Sequence, residues 1–370
     1  MNNKIAQEKR SSVPSLRMIA WEITRSCNLN CIHCRASANP IPHPDELSLK
    51  ECFQLIDDIA SFSKPIVILT GGEPLLREDI FAIAEYGDRC GLRMVMAVNG
   101  TLIAPEKAER ILNSGIRRVS ISIDGASPES HDGFRQVKGA FSGAINGIEN
   151  LKNLGIEFQI NTTITKRNID ELPQIHSLAK DLGAVAHHIF VLVPVGRGKE
   201  IESKERISIE EYDRILEWFC EQEEKTSLQL KATCAPQYYR IRKIKKNKGS
   251  KNLLDDSSKL DSKTRGCLGG VGFCFISHRG QVSPCGYLEI DCGNVRNSSL
   301  KWIWYNSPIF NSLRDFKKYE GKCGICKFVR ICGGCRARAY YSTGNYLSED
   351  PYCSYQPNKK DNFVLTESAY

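Results

Sequence analysis

Between residues 16 and 195 two rhythms of apolar and polar positions alternate along the chain. Short apolar runs bounded by turn residues read as strands: "LRMIAWEIT" (16–24), "PIVILT" (65–70), "RMVMAVN" (93–99), "RRVSISID" (117–124), "FQINTTIT" (158–165) and "VAHHIFVLVPV" (185–195). Segments of helical period lie between them: "SLKECFQLIDDIASF" (48–62) with a Ser cap, "REDIFAIAEYGDRCG" (77–91) ending at a glycine, and "PEKAERILNSG" (105–115) with Pro105 in its first turn. Residues 139–155 and "IDELPQIHSLAKDLG" (169–183) continue the pattern. Six β–α alternations predict a parallel sheet with right-handed crossovers. Six units fall short of the eight of a closed barrel. The expected fold is therefore α/β, an incomplete (β/α)6 TIM-like barrel. The expected division is an N-terminal tail (1–16), the barrel (17–230) with a helix at 205–226, a basic and polar linker (231–264), a cysteine-rich domain (265–357) and a C-terminal tail (358–370).

Charge and apolar content narrow the setting. No apolar run approaches the roughly 20 residues of a membrane span, and "MNNKIAQEKRSS" has no secretory core. The expected location is cytoplasmic, where disulfides are rare. The net charge is +8, and "RIRKIKKNKGSK" (240–251) supplies seven basic residues with no acid. That stretch reads as a solvated loop or helix end, or else as a basic lid for an anionic substrate. No basic groove interleaved with aromatics points to nucleic acid.

Sixteen cysteines in a reducing compartment call for metal. Nine lie between Cys267 and Cys353, and Cys27, Cys31 and Cys34 form C-x3-C-x2-C just after the first strand. Cys52, Cys90 and Cys220 stand alone and read as small apolar residues; Cys234 and Cys292 carry no assignment. Thiolates are the usual ligands of iron–sulfur clusters, and three of them leave one iron of a cubane open. Structural sites are closed by a fourth ligand. The first triad therefore reads as a reactive centre at the C-terminal rim of the barrel.

"CNLNCIHC" resembles the signature of the radical S-adenosylmethionine (SAM) enzymes, and three further elements follow in the family's order. The resemblance implies a 4Fe-4S cluster on Cys27, Cys31 and Cys34 whose open iron is chelated by SAM. "TGGEP", with Gly71, Gly72, Glu73 and Pro74, would hold the SAM amino group through Glu73. In "VSISID", Ser122 and Asp124 share a strand face; they, and Asn99 less directly, would bind the ribose. "FVLVPVGRG" resembles the sixth-strand end that contacts the adenine, with Arg197 either there or solvated. His33 replaces a common aromatic residue.

The C-terminal cysteines resemble the SPASM extension of the same family, which carries auxiliary 4Fe-4S clusters. Cys267, Gly280 and Cys285 fit C-x12-G-x4-C, and Cys323, Cys326, Cys332 and Cys335 fit C-x2-C-x5-C-x2-C. By order, Cys323, Cys326, Cys332 and Cys353 would hold one auxiliary cluster, and Cys267, Cys274, Cys285 and Cys335 a second. Zinc is the alternative, although zinc-ribbon pairs usually stand about 15–20 residues apart. "KATCAPQYYRI", "GCLGGVGFCFISHRGQVSPCGYL" and "CGGCRARAY" are most similar to the tetrapyrrole-modifying branch. The implied reaction is oxidative decarboxylation of two propionates of Fe-coproporphyrin III, an anionic tetrapyrrole, with electrons from a donor such as ferredoxin or flavodoxin. Reactions on didecarboxysiroheme or toward heme d1, and peptide modification, are the alternatives within the family. A non-enzymatic iron–sulfur carrier is the third reading; it would need neither "TGGEP" nor "VSISID". The 26 residues before Cys27 are too few for a peptide-leader domain.

Overall fold

A computed structural model describes residues 13–247 and 265–358. Most of both expected tails, and the polar stretch 249–264 expected as a linker, lie outside the described residues. The expected alternation forms, with strands β1 (Met18–Thr24), β2 (Ile66–Gly71), β3 (Arg93–Val98), β4 (Val119–Ser122), β5 (Phe158–Ile164) and β6 (Ala186–Val191). Each is parallel to the next. Helices α1 (Leu49–Phe62), α2 (Ile80–Arg89), α3 (Pro105–Asn113), α4 (Pro128–Arg135), α5 (Ala140–Asn153) and α6 (Leu172–Asp181) lie between them. The first helix starts as its Ser cap predicts. Ser48 Oγ accepts from the Glu51 amide and the Glu51 carboxylate accepts from the Ser48 amide, a capping box.

Three boundaries differ from expectation. The polar segment after residue 195 opens with α7 (Gly198–Glu205) before α8 (Ile209–Gln222), and a seventh parallel strand, β7 (Gln229–Thr233), follows. The expected linker therefore starts inside a strand and continues as α9 (Gln237–Asn247). Arg242 and Lys245 of its basic run pair with Glu223, the C-cap of α8, and Glu221 in its last turn, both at 2.9 Å, which docks the helix. At the other end, Leu16 is buried in the core and the Trp304 indole donates to the Pro14 carbonyl, so the last residues of the expected tail belong to the fold.

The cysteine-rich part shares the barrel's sheet. Its β8 (Phe273–Ile276) pairs in parallel with β1, and β9 (Gln281–Ser283) and β10 (Gly293–Asn294) continue antiparallel, giving the order β10-β9-β8-β1-β2-β3-β4-β5-β6-β7. The sheet stays open between β7 and β10. Short helices α10 (Leu300–Asn306), α11 (Pro308–Arg314), α12 (Gly321–Gly324) and α13 (Arg336–Thr343) complete the described chain.

Strand period sorts the residues between two faces. Ile19, Trp21, Ile23, Val67, Leu69, Met94, Met96, Ile121, Ile160 and Ile189 are buried in one core with the apolar stripes of the helices. The opposite face is polar. Glu22 is aligned with Thr70, and Ser122, Asn161, His188 and Lys231 are successive cross-strand partners. No described helix is long and apolar enough to cross a membrane.

Candidate functional site

The loop after β1 carries the first cysteine triad. Cys27 and Cys31 are buried, Cys34 is half-buried, and all three pack with Leu29, Ala36 and Ala38 in one small apolar cluster. Each sulfur meets an N–H donor: Leu29 N to Cys27 Sγ and Ala38 N to Cys34 Sγ at 3.4 Å, and Arg135 Nη1 to Cys31 Sγ at 3.6 Å. Such donors favour negative sulfur. Burial works the other way, and pushes the Cys27 thiol up to about 11 and the Cys31 thiol upward too, with Arg135 opposing it at Cys31. A metal that takes these thiolates must therefore displace protons as it binds.

"TGGEP" is fastened to this loop. Gly71 is registered against Thr24, the Gly72 amide donates to Thr24 O at 2.8 Å, and the Glu73 amide donates to Ser26 O at 2.7 Å. A Cβ on Gly72 would lie 2.2 Å from Ser26 O, so only glycine allows this approach. Glu73 is fully buried and caps the short turn begun by Pro74. Its Oε1 accepts from Leu75 N at 3.1 Å and its Oε2 from Asn99 N at 2.8 Å. Burial raises its carboxyl to about 7 against those two amides, and no cation forms an ion pair with it among the described residues. An ammonium bound beside Glu73 would restore its charge, which is the fit SAM requires. Glu73→Gln removes that charge and one backbone acceptor. The SAM dissociation constant should rise roughly tenfold or more, from a lost charge-assisted bond of about 1.5–3 kcal/mol; calorimetric titration of the loaded protein checks it, and an unchanged constant counts against this role.

The other expected SAM contacts divide. Ser122 and Asn161 stand half-buried on the polar face, so the Ser122 hydroxyl can face a ligand. Asn99 Nδ2 donates to Asn28 Oδ1 at 2.8 Å and its Oδ1 accepts from the Thr101 amide, which ties the cysteine loop to the end of β3. Asp124 is engaged within the protein instead. Its Oδ1 accepts from Thr163 N at 2.7 Å and its Oδ2 lies 2.5 Å from Arg135 Nη2, an ion pair without well-aligned hydrogen bonding. Burial opposes the Arg135 charge, and Asp124 and Cys31 outweigh it, so the arginine is held ionised. Asp124 thus positions Arg135 against Cys31.

Arg135 and Arg35 were not legible as site residues in the sequence, and for Arg197 two readings were open. Arg197 is not solvated: its Nε donates to Cys31 O and its Nη1 to Ala38 O, both at 2.9 Å, and its amide donates to Cys34 O at 3.0 Å. The sixth-strand loop is thereby clamped over the triad. Arg35, beside Cys34, pairs with buried Glu22 at 2.6 Å, lies 4.6 Å from the Phe275 ring centre and reaches the Gly286 carbonyl at 3.4 Å. It joins the first cysteine loop to the hairpin that carries Cys285.

The remaining cysteines fall into two groups. Cys323, Cys326, Cys332 and Cys353 line one cavity with Arg240 and Lys322, as their order suggests. Cys267, Cys285 and Cys335 gather as a second group, but Cys274 is elsewhere. It lies within β8 opposite Ile19, fully buried in the main core beside Cys292, because "GFCFI" is a strand whose alternate positions face the helices. The fourth member of the second group is Cys234. It shares a hydrogen bond with Cys335, which raises the Cys234 thiol and lowers that of Cys335. Cys234 follows β7 directly and has φ +56°, a conformation uncommon for a residue with a Cβ and a recurrent mark of functional positions. Among the described residues no three His, Cys, Asp or Glu side chains converge closely enough for a single metal ion. A cubane holds each thiolate on a different iron and needs no such convergence.

Comparison with known proteins adds the family. The model of the radical SAM superfamily matches residues 21–179, and that of the SPASM iron–sulfur cluster-binding domain matches residues 267–335. An AdoMet-dependent heme synthase of Methanosarcina barkeri is 50% identical over 93% of this chain and 98% of its own length. An Fe-coproporphyrin III synthase of the same organism is 32% identical over 91% of this chain and 87% of its own. Among solved structures, SuiB of Streptococcus suis bound to S-adenosylmethionine superposes with a TM-score of 0.75 over 96% of this chain and 81% of SuiB, at 16% identity.

Proposed function

Because this chain belongs to the radical SAM superfamily and carries its SPASM iron–sulfur domain, we propose that it makes heme b by oxidative decarboxylation of two propionate side chains of Fe-coproporphyrin III. It is a radical SAM enzyme and uses SAM and 4Fe-4S clusters. The observation that carries the substrate reading is the 50% identity, nearly end to end, with an AdoMet-dependent heme synthase, against 32% with an Fe-coproporphyrin III synthase.

The residues divide the work. Cys27, Cys31 and Cys34 hold the SAM-binding cluster, Glu73 takes the SAM ammonium, and Ser122 faces the nucleoside. Cys323, Cys326, Cys332 and Cys353 hold one auxiliary cluster, and Cys234, Cys267, Cys285 and Cys335 the other. When bound, SAM and its cluster supply a 5′-deoxyadenosyl radical, and the auxiliary clusters supply one-electron acceptors. The substrate propionate loses a hydrogen atom from its β-carbon to that radical, giving 5′-deoxyadenosine. Cleavage of the bond to the carboxylate then releases carbon dioxide, forms the vinyl double bond and leaves one electron to be accepted. A reduced ferredoxin or flavodoxin would supply the electron that starts each turnover. A net charge of +8 suits a substrate with four carboxylates.

Reconstituted enzyme given Fe-coproporphyrin III, SAM and reductant should produce heme b, read by mass spectrometry. Conversion of didecarboxysiroheme or a peptide, with Fe-coproporphyrin III left intact, would remove the substrate assignment. The second ligand set has its own test. Cys234→Ala should lower iron content by up to one cluster, whereas Cys274→Ala should leave iron unchanged and cost only the stability of a buried side chain, about 1 kcal/mol. The reverse pattern of iron loss would restore Cys274 as the ligand.

A further inference from the structure

Buried arginines stand beside all three cysteine groups, and those at the first two are neutralised. Arg135 at Cys31 is paired with Asp124 at 2.5 Å. Arg338, whose guanidinium donates to the Cys234 carbonyl, is paired with Asp350 at 3.2 Å. Arg336, in the first turn of α13, is different. It is 2% exposed, and among the described residues no carboxylate forms an ion pair with it. Asp350, the acid whose charge reaches it, is engaged by Arg338.

The hydrogen-bond partners of Arg336 are neutral apart from Cys323 Sγ, and of the second group only Cys267 is also reached by its charge. Nη1 donates to the carbonyls of Tyr346 and Ser348 at 3.1 and 2.6 Å, Nε donates to Gly334 O at 3.2 Å, and Nη2 donates to Cys323 Sγ at 3.4 Å. The Tyr319 ring lies 4.8 Å from the guanidinium carbon. The chain makes room for this contact. Gly334 has φ +60°, and a Cβ there would fall 2.3 Å from Arg336 Nη2 and 3.2 Å from Cys323 Sγ. A buried guanidinium without a counter-charge is strongly unfavourable. The negative charge it lacks is that of a thiolate-ligated cluster on Cys323.

We propose that Arg336 is a tuning residue, which raises the reduction potential of the cluster held by Cys323, Cys326, Cys332 and Cys353 above those of the other two sites. Reduction adds a negative charge, and an uncancelled positive charge with an N–H directed at a ligand sulfur stabilises the reduced state. Arg240, which lines the same cavity and acts on Cys353, adds to the same sign, whereas Lys322 is paired with Glu349 at 3.7 Å. The electron left by decarboxylation is thereby drawn to this site. The inference rests on the ligand set proposed above and does not depend on the identity of the substrate.

The test is a redox titration of the reconstituted holoenzyme followed by electron paramagnetic resonance, with iron content measured in parallel. With iron complete, Arg336→Gln should lower the equilibrium constant for reducing this cluster by roughly tenfold, about 59 mV for a one-electron couple, shift the cluster that includes Cys267 by less, and leave the potential of the Cys27 site in place. Arg336→Lys keeps the charge and should stay near wild type. An unchanged potential in Arg336→Gln, or an equal shift at all three sites, overturns the proposal. If Arg336→Gln does not hold its full iron, Arg336→Lys decides: a near-wild-type potential supports the role and a tenfold loss with iron complete overturns it. Failure of the ligand set is a separate result, namely a Cys326→Ala, Cys332→Ala variant that keeps all its iron.

Discussion

A Cys27→Ala, Cys31→Ala, Cys34→Ala variant should lose about four irons per chain and all cleavage of SAM. The triad lies in an apolar cluster with one N–H donor on each sulfur, and Arg197 and "TGGEP" brace its backbone from opposite sides. The sheet and its core do not depend on these three side chains, so the variant should fold and keep its auxiliary iron. Iron analysis and chromatography of 5′-deoxyadenosine read both quantities. Full iron content with normal cleavage would show that the triad is not the SAM site.

A Cys326→Ala, Cys332→Ala variant should still cleave SAM but form little heme. Hydrogen abstraction needs only the first site. In the proposed reaction vinyl formation would leave an electron, and without an acceptor the substrate radical could not complete it. The four cysteines share one cavity, so removing two should empty it, while the first triad is built from separate loops. Heme formation at the wild-type rate would refute the acceptor role of this group.

What could be read from the sequence follows from where each constraint lies. The six alternations were legible because each strand and helix carries its own period over many residues. The seventh strand was not: "QLKAT" is five residues long at the sheet edge, and only two of them, Leu230 and Ala232, are buried. The triad, "TGGEP" and the group at Cys323 are local motifs with fixed spacing. Cys234 has no cysteine near it in sequence and joins its group only because β7 ends beside the hairpin of Cys285. The strand it follows was itself not legible, so no local signal marked it. Cys274 sat within the span of a cysteine motif, and only the pairing of β8 with β1 shows it as a core strand position. Asp124 was expected on a strand face with Ser122, but β4 ends at Ser122 and Asp124 lies in the loop beyond it. Its commitment to Arg135, eleven residues further on at the end of α4, depends on that helix packing back over the loop, which no local pattern shows.

The most direct measurement uses Fe-coproporphyrin III deuterated at the propionate β-carbons. The enzyme should transfer deuterium into 5′-deoxyadenosine, release carbon dioxide and form heme b, with one 5′-deoxyadenosine for each vinyl group. SAM cleavage without deuterium transfer, or deuterium transfer without vinyl formation by the intact, fully iron-loaded protein, would contradict the account.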